Sequence, residues 1–406
     1  MKKNIFLWTL YDFANSIIMI AFLFYFSQWL TVDSAKPDWW FNVTLIVSSA
    51  LYLVTAPFLA HRLDINHKKL FGLRIMSLIL VIFYVLTALV MLLAPTHALL
   101  ATVFFTLSMY TYLLSFIYYT PMLNDLTNDT NRGWVSGLGQ AMNYFGQVFG
   151  LIVSLPFASG AIYLFGSHGR PQTLLPAIIL FIICALPLLI WYKEPIREKK
   201  NYGKSFSEIF VILKKVVSIR NLTLVFIAYF LFSDALLTFS NNFPIFLEKV
   251  FGVSDAVKSY LAGGILTFSV IGSIIFGKIS DKWGTRKTLL LLLICWVILF
   301  PLLAFTTSFT IATIICVFAG LFFGPVWAVS RAMVAENTPR DIEASSFGLY
   351  ILAERFATFI GPIIWSIVLA TTASQGATSY SYAIVSMGIL VLISVFVIRK
   401  IKPDNV

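Results

Sequence analysis

The sequence predicts an all-α polytopic membrane protein, with twelve transmembrane helices in two pseudo-symmetric six-helix bundles. Of its 406 residues, 59% are hydrophobic and 12% are charged, whereas a soluble domain is about 45–50% apolar and about 25% charged. The apolar residues form stretches long enough for a helical span of roughly 20 residues. These stretches lack the alternation of apolar and polar residues that is typical of a membrane β-barrel.

Each predicted span is an apolar stretch bounded by polar or charged residues. The first six are 5–31, 41–60, 71–94, 98–121, 135–158 and 174–192. The last six are 221–247, 257–277, 288–306, 310–333, 345–370 and 380–398. Residues 1–192 and 221–406 therefore form the two predicted bundles, and the basic segment 193–220 is the linker between them.

The distribution of Lys and Arg predicts the orientation. Most of them lie in the linker or in loops on its side of the membrane, and the opposite loops carry only Lys36, Arg170, Lys249 and Lys258. The positive-inside rule then places both termini and the linker in the cytoplasm. This bias accounts for the net charge of +11, so no nucleic-acid partner is predicted.

The two halves repeat each other. Asp12 aligns with Asp234, and at one constant offset Gly137, Asn143, Gln147 and Gly150 align with Gly348, Glu354, Thr358 and Gly361. Internal duplication of this kind is typical of transporters whose substrate sites lie near the bilayer midplane, between the repeats.

One loop carries a specific motif. Residues 277–287, Gly-Lys-Ile-Ser-Asp-Lys-Trp-Gly-Thr-Arg-Lys, fit the pattern G-x-x-x-D-[RK]-x-G-x-[RK]-[RK] at every specified position. Residues 60–69 keep the Asp and the basic pair of the pattern without its glycines. Through these residues the whole chain resembles the major facilitator superfamily (MFS).

Two shorter segments point to one branch of that superfamily. Residues 10–16, Leu-Tyr-Asp-Phe-Ala-Asn-Ser, and residues 132–139, Arg-Gly-Trp-Val-Ser-Gly-Leu-Gly, resemble the vacuole-effluxer branch. That branch includes the autophagy-related amino-acid exporter of yeast vacuoles. The resemblance implies transport of an amino-acid-like solute.

Three acidic residues lie inside predicted spans: Asp12, Asp234 and Glu354. An ionisable side chain in the hydrocarbon core is costly and usually has a function. Desolvation favours its neutral form, so it can bind and release a proton as the site opens to each side of the membrane. We predict that these carboxylates couple transport to a proton or a sodium ion.

Polar side chains on the same spans are the predicted substrate contacts. Helical spacing places Asn15 on the face of Asp12, aligns Asn143 with Gln147, and aligns Asn241 with Thr238 and Asp234. The remaining predicted contacts are Tyr119 and Arg355. Arg355 is equally compatible with clamping a substrate carboxylate and with a structural ion pair to Asp12 or Asp234.

The superfamily resemblance implies a cytoplasmic gate. In it the motif Asp faces the positive N-terminal end of a helix in the other half. Asp281 with Arg331, and Asp64 with the start of the eleventh span, are the predicted pairs, and Arg286 belongs to the same motif. For the basic residues of the motif, a role only in membrane orientation is the alternative.

These observations predict a secondary active transporter that moves a small polar or zwitterionic solute across the bacterial cytoplasmic membrane by alternating access. No cofactor is predicted, and the superfamily default is a monomer in the lipid bilayer. An enzyme is disfavoured because His61, His67, His97 and His168 lie in loops or at span ends, and because no nucleotide or hydrolase motif is present. A lipid or amphiphile flippase on the same fold remains the alternative.

Overall fold

The structure is a computed structural model that describes residues 2–36, 39–128, 130–195, 214–253, 255–356 and 360–401. Regular structure in these ranges is helical throughout. The long helices are α1 (Lys2–Ala21), α2 (Trp39–Asn66), α3 (Lys69–Leu93), α4 (Ala98–Tyr119), α5 (Arg132–Ala158), α6 (Leu174–Trp191), α7 (Arg220–Phe251), α8 (Asp255–Trp283), α9 (Thr285–Ala304), α10 (Phe309–Asn337), α11 (Glu343–Phe356), α12 (Ile360–Thr371) and α13 (Thr378–Arg399).

Within the described part of the chain, eleven helical segments are long and apolar enough to cross a membrane. The predicted eleventh span, 345–370, corresponds to α11 and α12, which flank residues 357–359. The α12 helix is apolar but shorter than the other spans. The prediction of an all-α polytopic membrane protein is confirmed.

The chain divides into two compact units. Unit 1 comprises Met1–Leu126 and Met142–Ile209, and unit 2 comprises Thr127–Ala141 and Phe210–Val406. The division falls within α5, whose first residues group with unit 2. It therefore differs from the predicted bundles over Thr127–Ala141. The start of α5 packs closely against α8, where Gly137 and Gly277 let the two backbones approach each other.

Each unit is built around a buried first helix. In unit 1, α1 packs against α6, while α4 packs against α2 and α3. In unit 2, α7 packs against α11 and α13, and α8 packs against α10. Many aliphatic and aromatic side chains of the other helices are exposed, such as Leu78 and Ile183, as expected of helices that face lipid.

Candidate functional site

Unit 1 holds a polar group inside its most buried helix. Asp12 and Asn15 lie about one turn apart on α1, and their exposed fractions are 2% and 0%. Neither the amide nitrogen nor the amide oxygen of Asn15 has a hydrogen-bond partner within the described ranges. A buried polar group without a partner costs roughly 1–3 kcal/mol. Asn15 is therefore available to a ligand.

The α5 helix contributes two predicted substrate contacts. The Nε2 atom of Gln147 donates to the Oδ1 atom of Asn143 at 2.9 Å, and both side chains are half-buried. Nearby, Gly146 and Gly150 let α5 approach α1 closely, because a Cβ at Gly146 would lie 2.4 Å from the carbonyl oxygen of Phe13. The amide pair thus lies one turn from a tight α1–α5 contact.

Unit 2 holds the second predicted acid, Asp234, on α7. Its side chain is 1% exposed, and its Oδ2 atom accepts a hydrogen bond from the backbone N–H of Gly361 at 2.5 Å. A Cβ at Gly361 would lie within 3.0 Å of Asp234 and of Thr238. Only glycine leaves room for this contact between α7 and α12.

Two other predicted contacts differ in setting. Asn241 is exposed on the last part of α7. Tyr119 is fully buried, its hydroxyl donates to the carbonyl oxygen of Trp8 at 2.9 Å, and the two rings stack at 4.9 Å. The indole N–H of Trp8 donates in return to the carbonyl oxygen of Tyr119. A solute contact by Tyr119 would have to replace its bond to Trp8, and the predicted contact stays a prediction.

Glu354 and Arg355 lie on α11, and their side chains fall outside the part of the structure that is described. The same holds for Thr358, which lies between α11 and α12. Their predicted roles in coupling and in substrate binding therefore stay predictions.

The motif residue Asp281, near the end of α8, lies against the N-terminal start of α5. Its Oδ1 and Oδ2 atoms accept hydrogen bonds from the backbone N–H groups of Gly133 and Trp134, at 2.6 and 2.8 Å. A carboxylate at a helix N-terminus is stabilised by the free N–H groups and by the helix dipole. The ammonium group of Lys278 also lies 4.5 Å from the centre of the Trp134 ring.

Arg331 holds the same helix start. Its Nε and Nη2 atoms donate to the Oγ atom and the carbonyl oxygen of Ser136, at 3.0 and 2.7 Å. Arg286 lies elsewhere, where it donates to the carbonyl oxygens of Ile398 and Arg399 at the end of α13. Asp64 is buried near the end of α2, and its predicted pairing with the eleventh span stays a prediction.

A buried ionic cluster in unit 1 was not predicted from the sequence. The Nζ atom of Lys69 lies 2.9 Å from Asp125 and 2.8 Å from the carbonyl oxygen of Pro121. Glu194 accepts hydrogen bonds from the backbone N–H groups of Lys69 and Leu70, and burial raises the pKa of Glu194 above its usual range. One signal in the sequence is that Asp125 aligns with Glu336 at the same offset that aligns Gly137 with Gly348. Glu336 accepts a hydrogen bond from Thr285 at the start of α9.

We expect Lys69→Met to destabilise unit 1. The exposed fractions of the Lys69 and Asp125 side chains are 4% and 2%, and removing one partner of a buried ion pair typically costs ~3–5 kcal/mol. The matched control is Lys68→Met, because Lys68 is exposed and its ammonium group lies 5.9 Å from the centre of the Phe71 ring. Thermal unfolding in detergent measures the difference, and equal losses in the two variants would contradict this role.

Comparison with known proteins agrees with this architecture. Residues 125–404 match the family described as "Vacuole effluxer Atg22 like". The transporter YxiO of Bacillus subtilis, described as MFS-type, is 23% identical over 422 residues, which cover 98% of this chain and 94% of that protein. LtaA of Staphylococcus saprophyticus, named a proton-coupled antiporter flippase, is 23% identical over 284 residues, covering 67% and 66%.

The fold is also similar to that of a solved transporter. The crystal structure of the human organic anion transporter MFSD10 has a TM-score of 0.76 at 13% identity, and covers 98% of this chain and 99% of that chain. This likeness confirms the predicted twelve-helix MFS fold. Because the family match extends over more than half of the sequence, the chain belongs to the Atg22-like vacuole effluxer family of MFS membrane transporters.

Proposed function

We propose that this protein is a secondary active transporter that moves a small polar or zwitterionic, amino-acid-like solute by alternating access, coupled to a cation. The observation that carries the proposal is the burial of Asp12 and Asp234, one in each unit, inside membrane-spanning helices. Carboxylates in such positions are costly to keep charged. A transport cycle uses this property when the acid exchanges a cation at each opening.

The solute class follows from the neutral polar groups. Asn15 has an amide with no hydrogen-bond partner in the described ranges, and Asn143 and Gln147 offer a second amide pair. Amides supply both donors and acceptors, as a zwitterion needs. Arg355, if it faces the same solute, adds a bidentate partner for a carboxylate.

The gate is part of the proposal. Asp281 and Arg331 hold the start of α5 through its backbone N–H groups and through Ser136. We assign to these bonds the role of a latch that opens and re-forms in each cycle. The proposed location is the cytoplasmic membrane with both termini inside, as the distribution of Lys and Arg predicts.

A lipid or amphiphile flippase is the second candidate. It is favoured by the printed description of LtaA, a relative that matches about two thirds of this chain. Against it stand the buried Asp12, Asn15 and Asp234, which make the interior of each unit polar. A lipid or amphiphile also needs an apolar surface for its chains along the transport path, and these buried polar side chains do not provide one.

Transport by reconstituted protein tests the proposal. We expect liposomes with the wild-type protein to accumulate one of a panel of amino acids, peptides or organic acids when a proton or sodium gradient is imposed. Asp234→Asn and Asp12→Asn keep the shape of the side chain without its charge. We expect each to reduce gradient-driven uptake to the level of empty liposomes.

Asp33→Asn is the matched control. Asp33 pairs with Arg170, its side chain is 37% exposed, and it lies beyond the first span, so wild-type transport is expected. Gradient-driven uptake by Asp234→Asn and Asp12→Asn at the wild-type rate would refute the coupling. Movement of a fluorescent lipid between leaflets, without uptake of any polar solute, would establish the second candidate.

A further inference from the structure

Two buried oxygen atoms on α7 lack hydrogen-bond partners. They are the Oδ1 atom of Asp234 and the Oγ1 atom of Thr238, one helical turn later. Each side chain is 1% exposed. Neither atom has a partner among the residues that the structure describes, although the other carboxylate oxygen of Asp234 accepts the Gly361 N–H. Buried polar atoms are rarely left this way in a native protein.

The hydroxyl of Thr238, like that of Thr313 on α10, differs from those of most helical threonines that the structure describes. Thr87, Thr267 and Thr288 each donate to the carbonyl oxygen of the preceding turn, at 2.8 to 3.0 Å. Such back-bonding is the common way for a threonine to satisfy its hydroxyl within a helix. Thr238 does not make this bond in the described conformation, so its hydroxyl is available to a ligand.

Unit 1 provides an internal comparison. Ser16 follows Asp12 by one turn on α1, as Thr238 follows Asp234 on α7. The Oγ atom of Ser16 donates to the carbonyl oxygen of Asp12 at 2.9 Å. At the two equivalent positions, the hydroxyl of Ser16 therefore bonds within its own helix, whereas the hydroxyl of Thr238 has no partner among the described residues.

The two free oxygens of unit 2 also converge. Both lie next to the Cα atom of Gly361, since a Cβ built there would be 2.3 Å from Thr238 Oγ1 and 2.9 Å from Asp234 Oδ1. Gly361 fixes the carboxylate through its N–H, which leaves the other oxygen directed to the side of Thr238. A small ligand can contact both oxygens at once.

Other ionisable groups lie on α7 and on the helices packed against it. The α7 helix itself carries Arg220, Tyr229, Glu248 and Lys249. The neighbouring helices carry Cys316, Arg331 and Glu336 (α10), Glu343, Tyr350, Glu354 and Arg355 (α11), and Tyr380, Tyr382 and Arg399 (α13). The side chains of Glu248, Glu354 and Arg355 fall outside the described part of the chain. The α12 helix brings Gly361 and no ionisable group.

We propose that Asp234 Oδ1 and Thr238 Oγ1 together bind the coupling ion, a small monovalent cation, in unit 2. This inference rests on the proposed function and deepens it, since it assigns the ion to one of the two equivalent acids. One carboxylate balances one positive charge, so a proton or a sodium ion fits. If the ion is a proton, it binds to Asp234 Oδ1, and Thr238 Oγ1 accepts a hydrogen bond from the resulting carboxylic acid. If the ion is sodium, Thr238 Oγ1 coordinates it together with the carboxylate.

Chemical modification tests the assignment without a known solute. Dicyclohexylcarbodiimide modifies protonated carboxyl groups in apolar surroundings, and mass spectrometry of peptides reports the modified residue. The purified protein in nanodiscs is titrated with acid in choline chloride and again in sodium chloride of equal concentration. Asp234→Asn identifies the modified peptide.

We expect Asp234 to be modified at acid pH, with a midpoint that Thr238→Val lowers by about one pH unit, because a lost hydrogen bond weakens proton binding up to about tenfold. If sodium is the ion, sodium chloride protects Asp234, and Thr238→Val raises the protecting concentration about tenfold. Thr238→Ser keeps the oxygen and should match the wild type. The unit 1 control, Ser16→Ala, should leave modification of Asp234 unchanged.

Several results would overturn the assignment. The first is an equal pH midpoint of Asp234 modification in Thr238→Val and in the wild type. The second is a shift of this midpoint in Ser16→Ala as large as that in Thr238→Val. The third is the absence of Asp234 modification at every pH in choline chloride. A Thr238→Val protein too unstable to purify would reveal a structural partner for the hydroxyl and overturn it too. If the assignment fails while Asp234→Asn still abolishes gradient-driven uptake, the proposed function stands without it.

Discussion

Gly361→Ala is expected to destabilise unit 2 and to abolish ion coupling. The added Cβ would lie 2.3 Å from Thr238 Oγ1, 2.9 Å from Asp234 Oδ1 and 3.0 Å from the Asp234 carbonyl oxygen. The last of these atoms belongs to the backbone of α7 and cannot rotate away, so α12 must shift. Overpacking of this contact, together with weakening of the Gly361–Asp234 hydrogen bond when α12 shifts, predicts a loss of about 3 kcal/mol or more in the free energy of unfolding.

The matched control is Gly263→Ala on α8. A Cβ at Gly263 meets no atom within 4 Å, and alanine is favoured over glycine inside a helix by about 0.5–1 kcal/mol. We therefore expect Gly263→Ala to unfold at the wild-type temperature or slightly above it. Thermal unfolding in detergent gives the comparison, and reconstituted transport shows whether coupling is lost with the contact.

If Gly361→Ala unfolds like Gly263→Ala, α12 is free to move away from α7. The close contact would then be unnecessary for stability, and the convergence of Asp234 and Thr238 on Gly361 would lose its significance.

Gly137→Val is expected to release the start of α5 from α8. A Cβ at Gly137 would lie 2.3 Å from the carbonyl oxygen of Ser273 and 3.0 Å from the Cα atom of Gly277. These are backbone atoms of α8, so valine forces the helices apart. The same separation lengthens the bonds from Asp281 to Gly133 and Trp134.

Cysteine labelling measures this release. Ser280 is 2% exposed and lies against Gly133, so a cysteine there should react slowly with a maleimide. The native Cys184, Cys295 and Cys316 are first replaced by alanine. We expect Gly137→Val to raise the labelling rate of Ser280→Cys by about tenfold. This increase corresponds to a free energy of local opening, which exposes the thiol, that is lower by about 1.4 kcal/mol.

Gly264→Ala serves as the control for this experiment. Its Cβ would meet Val317 at 3.5 Å, an ordinary contact on the same α8 helix. Labelling should then stay at the wild-type rate. If Gly137→Val is also labelled slowly, the start of α5 is held by something other than its glycine contact, and the latch should be sought elsewhere.

The motif in residues 277–287 shows how far a local pattern reaches. The superfamily resemblance carried by this motif implied that Asp281 faces a helix N-terminus, and Asp281 accepts hydrogen bonds from the N–H groups of Gly133 and Trp134. Arg331, the predicted partner of Asp281, donates to Ser136 on the same helix start, and its pairing with Asp281 stays a prediction. A motif indicates which kind of group a residue binds. Which helix supplies that group depends on the fold.

Tyr119 shows a different limit. Tyr119 was predicted as a solute contact because its span carries a hydroxyl that could face the substrate path. In the structure this hydroxyl and the Trp8 indole bond to each other's backbone across α1 and α4. Spacing along one helix cannot reveal this, because the partner is more than a hundred residues away in the sequence.

The sequence by itself determined the membrane class, the repeated halves and the superfamily, because hydropathy and motif spacing are sums over neighbouring residues. It also identified Asp12 and Asp234 as equivalent acids. Only the tertiary structure distinguished them, since the Ser16 hydroxyl bonds back to its own helix, whereas the Thr238 hydroxyl lies beside Gly361 without a hydrogen-bond partner among the described residues. Whether a buried oxygen finds a partner depends on helices that meet in space, and no local pattern contains that information.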